Sequence, residues 1–425
     1  MRLIIFENKG TDLLYPLTHL RATCELRCGH TTLGEKIQRS AGTVSDTSYF
    51  VRNILAPTFK QRYTDNAIND TGMLQGEDLL LVDGRILAME ELPIPTGEGV
   101  IMHGDIPVIV KINADTASSL PIGDIGTFLT AAQVKLPVDD KPVTLMEFPW
   151  DLIHNNPEAI TADFKIAGKS GNEGSMDKLS CIYGPEDQCY IAPGVEIHPM
   201  VVIDTKGGPV TIERDAIVFP HSRIEGPCYI GAETQIVGGK IREGCSFGPL
   251  CRVGGEVEEA IIHGCSNKYH DGFLGHAYVG EWVNLGALTT NSDLKNDYSN
   301  VEVKIGKTTY DSGSTKVGSF IGDHTKTSIG TLLNTGSTVG IMCLLMATGA
   351  PLPKYIPSCM WYVNGRFSKG AGFKSLLKTA HAATSRRKRS LTDEDVKLLE
   401  AVFEMTKEER DPLIRRDSKA MIRRK

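Results

Sequence analysis

No apolar stretch in the 425 residues approaches the roughly 18–20 that a membrane-crossing helix needs; the longest, Ile341-Met-Cys-Leu-Leu-Met-Ala347, stops after seven. The opening Met1-Arg-Leu-Ile-Ile-Phe6 runs straight into Glu7, too short for the apolar core of a secretion signal. The ten cysteines include no Cys-x-x-Cys pair. That argues against a zinc site and predicts reduced, mostly buried thiols in a cytoplasmic protein. Aromatic residues are sparse at 7%, and the formal net charge of −6 makes no global case for nucleic acid. With 41% hydrophobic residues, a mainly disordered chain is excluded as well.

What the chain has in excess is glycine: 43 residues, 25 of them between Gly184 and Gly349, against about 7% in an average protein. Without a collagen triplet, that density implies a backbone that turns often. Charge is uneven too. Residues 356–425 carry 17 Lys and Arg against 9 Asp and Glu, so an acidic body bears a basic tail. The length predicts two or three domains.

The glycine-rich region repeats. Ile191, Ile197 and Ile203 lie six apart, as do Ile212, Val218, Ile224, Ile230 and Ile236, then Phe247 and Val253, then Val279 and Leu285. Ile321, Leu333, Val339 and Leu345 keep the phase, with Thr327 filling the gap. Glycine often follows the aliphatic residue, as in Ile230-Gly231 and Val339-Gly340. A six-residue period is neither helical nor a simple alternation; it is the mark of a hexapeptide β-helix. Each hexad lays one short strand along a prism face, stacks its aliphatic side chain inward and turns at a corner, where glycine tolerates a strained backbone. Residues 291–316 break the period with polar sequence, an excursion of the kind that carries function.

The N-terminal part reads as mixed α/β. Leu3–Phe6, Leu79–Val82 and Val100–Met102 look like buried parallel strands. Thr32 and Glu35 form a capping box, and 115–131 holds a weak helical pattern. The expected domains are an α/β domain over 1–155, a polar, glycine-rich linker over 156–184, a β-helix over 185–355 and a basic, partly helical tail over 356–425. In the tail, Thr392 and Asp395 would cap a helix with Val396, Leu399, Val402, Phe403 and Thr406 on one face. The run Arg386-Arg-Lys-Arg389 lacks interleaved aromatics, so it reads as solvated surface or a contact with an acidic patch in an oligomer, not as a nucleic-acid site.

The densest cluster of chemically able residues is Ser266-Asn-Lys-Tyr-His-Asp-Gly-Phe-Leu-Gly-His276, followed by Val283-Asn-Leu-Gly-Ala287. This stretch resembles the acetyltransferase half of the bifunctional N-acetylglucosamine-1-phosphate uridyltransferase/glucosamine-1-phosphate acetyltransferase family. The resemblance covers roughly residues 185–350. It implies a left-handed parallel β-helix, a homotrimer with active sites between subunits, and acetyl transfer from acetyl-CoA to an amino-sugar 1-phosphate. By position, His270 matches the general base, a task that suits an imidazole largely unprotonated at neutral pH. Asn284 matches a sugar-contacting amide, while Lys268 and Arg252 are candidates for the sugar phosphate. Phe273 stands where the family has a substrate-binding tyrosine, so a hydroxyl is missing. His276, His263 and His221 read individually as structural.

After the first strand, Phe6-Glu-Asn-Lys-Gly-Thr-Asp-Leu-Leu-Tyr-Pro-Leu-Thr-His-Leu-Arg21 is similar to the signature loop of sugar-1-phosphate nucleotidyltransferases. That likeness implies a Rossmann-like domain in which Lys9, Gly10, Thr11 and Arg21 meet the nucleotide phosphates. His103-Gly-Asp-Ile-Pro-Val108 resembles the family's Gly-Asp-x-Pro motif, with Asp105 the Mg²⁺ ligand. The departures are Glu7-Asn8 for a glycine pair, Asp12 for the loop arginine and Thr23 for a lysine. A small group of bacterial proteins described as sugar nucleotidyltransferases shares this degenerate N-terminus joined to the Ser-Asn-Lys-x-His-Asp-Gly-Phe-Leu-Gly coil. The expected function is that of a cytoplasmic sugar-phosphate transferase, with acetyl transfer on the coil and Mg²⁺-dependent nucleotidyl transfer in the first domain. Two other readings stay open: a nucleotidyltransferase with the coil as trimerisation scaffold, or a non-catalytic ligand-binding scaffold.

Overall fold

The computed structural model describes residues 1–422, with side chains described through Lys419. The chain divides into two compact units. The first comprises Met1–Leu14, Leu20–Leu26 and Thr31–Phe148; the second comprises Tyr15–His19, Arg27–His30 and everything from Pro149 onward.

The first unit is built on a six-stranded sheet in the order Ala67–Ile68, Thr47–Phe50, Arg2–Phe6, Leu79–Asp83, Ile106–Ile112, Gly99–His103. The first four strands are parallel, and Ile106–Ile112 runs antiparallel to both neighbours. Leu3, Ile4, Ile5 and Phe6 are all buried, as a strand covered on both faces requires. Ile4, Phe6, Leu79, Leu81 and Val110 pack with Phe128 and Leu129 of the helix Ile125–Lys135. The expected capping box forms: Glu35 N–H donates to Thr32 Oγ1 at 3.3 Å and Thr32 N–H to Glu35 Oε2 at 2.7 Å, opening the helix Leu33–Ser40. The pattern over 115–131 splits into Ala114–Ser118 and Ile125–Lys135. Pro121 lies between them, and a proline disfavours helical backbone in the residue before it.

The second unit is the expected left-handed parallel β-helix followed by a helical tail. One ladder of directly paired residues runs Ile191, Ile212, Ile230, Phe247, Ile262, Val279, Ile321, Val339, Ile356. A second runs Ile197, Val218, Ile236, Val253, and a third Ile203, Ile224, Ile241, Val257, Leu274. Every one of these side chains is inward and at most 3% exposed. The three ladders are the three inner faces of the prism.

The stretch over 156–184 is not a linker. It holds the helix Asn156–Ala167 and the strands Gly171–Asn172, Ser175–Met176 and Cys181–Tyr183, which pair with the coil's next turn. Its polarity reflects the solvent-facing end of a solenoid, where a capping turn has a wet outer face. At the other end, the tail helices Phe373–Ser385, Asp393–Met405 and Lys407–Ile422 follow the last strands. Leu399, Val402 and Thr406 of the expected apolar face are buried, whereas Val396 and Phe403 are half-buried. The tail packs on its own body: Leu413 and Ile414 pack against the coil's core. Within the tail, Arg410, 3% exposed, donates to Thr406 Oγ1 at 2.9 Å and to the Phe403 carbonyl at 2.8 Å, and Phe367 N–H donates to Asp417 Oδ2 at 2.8 Å.

The coil glycines have a different reason than expected. Many left-handed corners are held by other residues, such as His221 at φ 62°, Trp282 at φ 59° and Met342 at φ 54°. Gly340 instead sits where successive turns touch: a Cβ there would lie 2.3 Å from Ser358 N. We therefore expect Gly340→Ala to cost about 2 kcal/mol or more in denaturant unfolding, since neither turn can yield. Gly97→Ala, with no neighbour within 4 Å, should be near neutral.

Candidate functional site

On the second face, the turn after Val253 places Lys268 in register with it, at an inward position. Lys268 is 1% exposed, and its ammonium donates to the carbonyls of Gly254, at 3.2 Å, and His270. Burial pulls its pKa down to about 8 against the opposing pull of Asp271. Lys268 therefore does not reach a substrate phosphate; it is a strut beneath the corner Tyr269-His270-Asp271. Above that strut the chain turns outward, and all three corner residues are exposed. The Tyr269 ring meets the His270 ring edge-on, centroids 5.0 Å apart.

His270 opens onto a cleft of about 870 Å³ shared with Arg252, Asn267 and Asn284. Leu285, Ala287 and Ile329 supply an apolar wall. Asn267 Nδ2 donates to Asn284 Oδ1 at 3.1 Å. Arg252 is pinned, Nη1 donating to the carbonyls of Glu233 and Cys251, each at 2.8 Å. Burial and then the like charge of Arg387 hold Arg252 below the ordinary arginine value. Thus the structure brings His270, Asn284 and Arg252 together and leaves Lys268 out. Phe273 is also outside the cleft: it lies on the strand Phe273–Gly275 with its ring against Gly275.

Two cleft residues were missed in the sequence. Arg386 and Arg387, just past the tail helix Phe373–Ser385, line it too. The basic run itself was visible; its neighbours, about 120 residues away, were not. A smaller cavity of about 270 Å³ separates that helix from the coil, with Trp282, Lys326 and Thr379 in its walls.

The polar excursion is anchored beside this region. Asn291 Nδ2 donates to the Gly275 carbonyl at 2.8 Å, and Gly275 N–H donates to Asn291 Oδ1 at 2.9 Å. His276, 3% exposed, sits between Asp293 Oδ2, at 2.9 Å from Nδ1, and Glu259 Oε2, at 3.3 Å from Nε2. Burial opposes its charge, but the two carboxylates prevail and raise its pKa to about 9. His263 Nδ1 faces the Tyr278 hydroxyl at 3.0 Å.

In the first unit, the chain leaves the sheet's carboxyl edge at Glu7, Gly84 and Gly104. Asn8 Nδ2 donates to the Pro107 carbonyl at 2.9 Å, tying two of these loops. Lys9 and Asp105 line a cleft of about 810 Å³, with Thr127, Thr130 and Val134 of the helix Ile125–Lys135 on its wall. Gly10, at φ 91°, stands against the buried Arg85, where a Cβ would meet Nη1 at 2.7 Å. Arg85 is paired in two-pronged fashion with Asp83, Nε to Oδ1 at 3.1 Å and Nη2 to Oδ2 at 2.9 Å. Thr11 is buried in the short turn Thr11–Leu14. Arg21 is 5% exposed and is not among the cleft's lining residues; its carbonyl accepts from Arg52 Nη2 at 3.0 Å.

Glu7, in place of the expected glycine, is held by Arg52 Nε at 3.0 Å and accepts from Thr23 N–H at 3.0 Å. Asp105 lies in the exposed two-residue turn between the antiparallel strands Gly99–His103 and Ile106–Ile112. Among the described residues no three His, Cys, Asp or Glu side chains gather as a metal site. A lone carboxylate suffices only for a magnesium ion whose other ligands are phosphate oxygens and water.

Residues 3–171, less than half of the chain, match the family described as "Sugar nucleotidyl transferase". Among curated proteins, "Bifunctional protein GlmU" of Nitratidesulfovibrio vulgaris (strain DP4) is 30% identical over 173 residues, 35% of this chain and 37% of its own length. The protein of that name from Acidithiobacillus ferrooxidans (strain ATCC 53993 / BNL-5-31) is 32% identical over 126 residues, covering 27% and 28%. The one from Jannaschia sp. (strain CCS1) is 36% identical over 110 residues, covering 24% and 23%. The chain thus spans between 23% and 37% of the length of these curated relatives. Among solved structures, an Arabidopsis UDP-N-acetylglucosamine acyltransferase is 11% identical at a TM-score of 0.24, covering 50% of this chain and 79% of that one. Among the described residues no helix is long and apolar enough to cross a membrane.

The raised pKa of His276 sets a pH dependence. Its folded value of about 9 lies above the ordinary 6.5, so its stabilisation is fully present below pH 6.5 and is lost as pH rises through 9. Urea unfolding should show a loss of about 3 kcal/mol across that window. In His276→Gln this part of the slope should vanish.

Proposed function

We propose that this protein is a transferase of nucleotide-sugar biosynthesis whose β-helix moves an acetyl group from acetyl-CoA to an amino-sugar 1-phosphate. The observation that carries the reading is the convergence of the exposed His270 imidazole, the Asn284 amide and the Arg252 guanidinium in one open cleft. The substrate amine attacks the thioester carbonyl carbon, forming the N–C bond as the C–S bond breaks. His270 takes the amine proton and returns it to the departing thiolate, so the imidazole ends as it began. Asn284 orients the sugar, Arg252 meets its phosphate and Lys268 holds the corner backbone that carries His270. In this reading the protein is a cytoplasmic homotrimer in which a neighbouring copy closes the cleft.

The first unit would bind nucleotide and sugar phosphate at the carboxyl edge of its sheet, with Lys9, Gly10 and Thr11 nearest the phosphates. Arg21 is buried, so any part it takes is through the loop it anchors. A magnesium ion carried on the nucleotide would find one protein carboxylate, Asp105. Glu7 favours a second reading of this unit. A carboxylate in a loop that must cradle phosphate opposes transfer unless neutralised, and Arg52 is the neutralising partner. The pair spends the Arg52 charge on Glu7 and withholds that cation from a transferring phosphate, which suits binding without nucleotidyl transfer.

His270→Ala should lower acetyl-transfer turnover by about 10²- to 10⁴-fold with little change in KM for acetyl-CoA. Release of free thiol, followed with a thiol reagent across a panel of amino-sugar 1-phosphates, is the measurement; turnover like wild type in this variant rejects the general-base role. For the first unit, pyrophosphate release from nucleoside triphosphate plus sugar 1-phosphate should disappear in Asp105→Asn. Release that persists in the variant removes Asp105 from the metal, and none in wild type selects the binding-only reading.

A further inference from the structure

The cleft gathers Arg252, Arg386 and Arg387, and no carboxylate among the described residues forms an ion pair with any of them. Three guanidinium groups around one open space repel each other, and Arg252 already feels Arg387 as a like charge. Arginine does not relieve such repulsion by losing its proton. Arg387 Nε is buried without a hydrogen-bond partner among the described residues. Its Nη2 donates to Asn267 Oδ1 at 2.7 Å, and Asn267 donates in turn to Asn284. The basic tail is thereby linked through the Asn267 amide to Asn284.

We propose that Arg386 and Arg387 form, with Arg252, a clamp for a ligand carrying more than one phosphate charge, and that the tail is part of the binding site. The inference deepens the acetyl-transfer reading of the same cleft, because it assigns the anionic group of the substrates to a segment outside the repeat. Guanidinium groups favour phosphate through paired, charge-assisted hydrogen bonds. The shared ligand chemistry is a phosphate ester or anhydride, with two sources: the sugar 1-phosphate and the phosphates of the acyl donor. A dianionic or larger anion would offset the repulsion among the three guanidinium groups. It would also hold Asn267, and through it Asn284, in place.

The test uses the full chain and reads binding directly. Calorimetric titrations with inorganic pyrophosphate, with glucosamine 1-phosphate and with coenzyme A against its 3′-dephospho form should be run on wild type, R386Q/R387Q and R387K. Pyrophosphate should bind wild type, weaken with salt and lose about ten- to a hundredfold in affinity in the double variant. R387K should recover only part, because an ammonium cannot reproduce the two-pronged contact. If the double variant weakens glucosamine 1-phosphate, the clamp serves the acceptor; if it weakens coenzyme A more than the 3′-dephospho form, it serves the donor. Unchanged affinity for every anion overturns the proposal. With thiol release measured in parallel, anion binding that falls in the double variant while wild type transfers no acetyl group leaves the clamp standing and rejects the acetyl reading. Turnover with unaffected binding in the double variant does the reverse. Circular dichroism and the unfolding midpoint should stay near wild type, since Arg386 is exposed and Arg387 half-buried.

Discussion

The inward stack of aliphatic side chains from Ile191 to Ile356 is the constraint on which the second unit depends. Each turn of the coil cannot bury its apolar row alone; it does so only against the turns above and below. Register follows, because sliding one turn against the next would expose its whole row. A coil locked in this way presents its corners at repeating positions, and the cleft is built from residues on such corners. His270, Asn284 and Arg252 are far apart in function from the stack, yet each stands where it does because the neighbouring inward residue is fixed. The close approach at Gly340 is the same constraint seen from the backbone.

Chemistry enters where the stack is interrupted. Lys268 takes an inward place that hydrophobic residues hold on the turns before it, and burying an ammonium is expensive unless its protons are spent. The carbonyls of Gly254 and His270 receive them. Desolvation loosens the proton, and the reward is a corner backbone tied down from beneath. Lys326, on the outward row of Asn267 and Asn284, also spends its protons on backbone, donating to the carbonyls of Trp282 and His324, with burial bringing its pKa to about 8. His276 does the converse: two carboxylates keep it charged and fasten the polar excursion to the coil. The first unit uses buried pairs in the same spirit. Asp83 with Arg85 and Glu7 with Arg52 shape the loops at the carboxyl edge of its sheet, so a degenerate signature loop is still an ordered one.

Much of this was legible without coordinates. The six-residue period declared the coil, its inward face and even Thr327, whose hydroxyl meets that of Thr289 at 2.7 Å inside the prism. Lys268 lies six residues after the inward Ile262, so its inward fate follows once the 15-residue turn from Phe247 is known, although likeness to a phosphate-binding lysine pointed the other way. Phase is a stronger guide than residue type here, because the stack decides direction before chemistry can. Ile241, Val257 and Leu274 were harder to read. Turn length varies, from 21 residues between Ile191 and Ile212 to 15 between Phe247 and Ile262, so a fixed count loses the third face.

The sequence by itself determined the two kinds of architecture, the capping boxes at Thr32 and Thr392, and the corner that carries His270, because each follows from spacing along a short stretch. Only the tertiary structure decided that the segment 156–184 is part of the coil's capped end and that Phe273 turns away from the cleft. It alone placed Arg386 and Arg387 beside Asn267. The last of these depends on a contact across 120 positions, set by how a tail folds back onto a finished solenoid. Local periodicity carries no information about that return path, since a helix with the same apolar face satisfies it against any complementary surface.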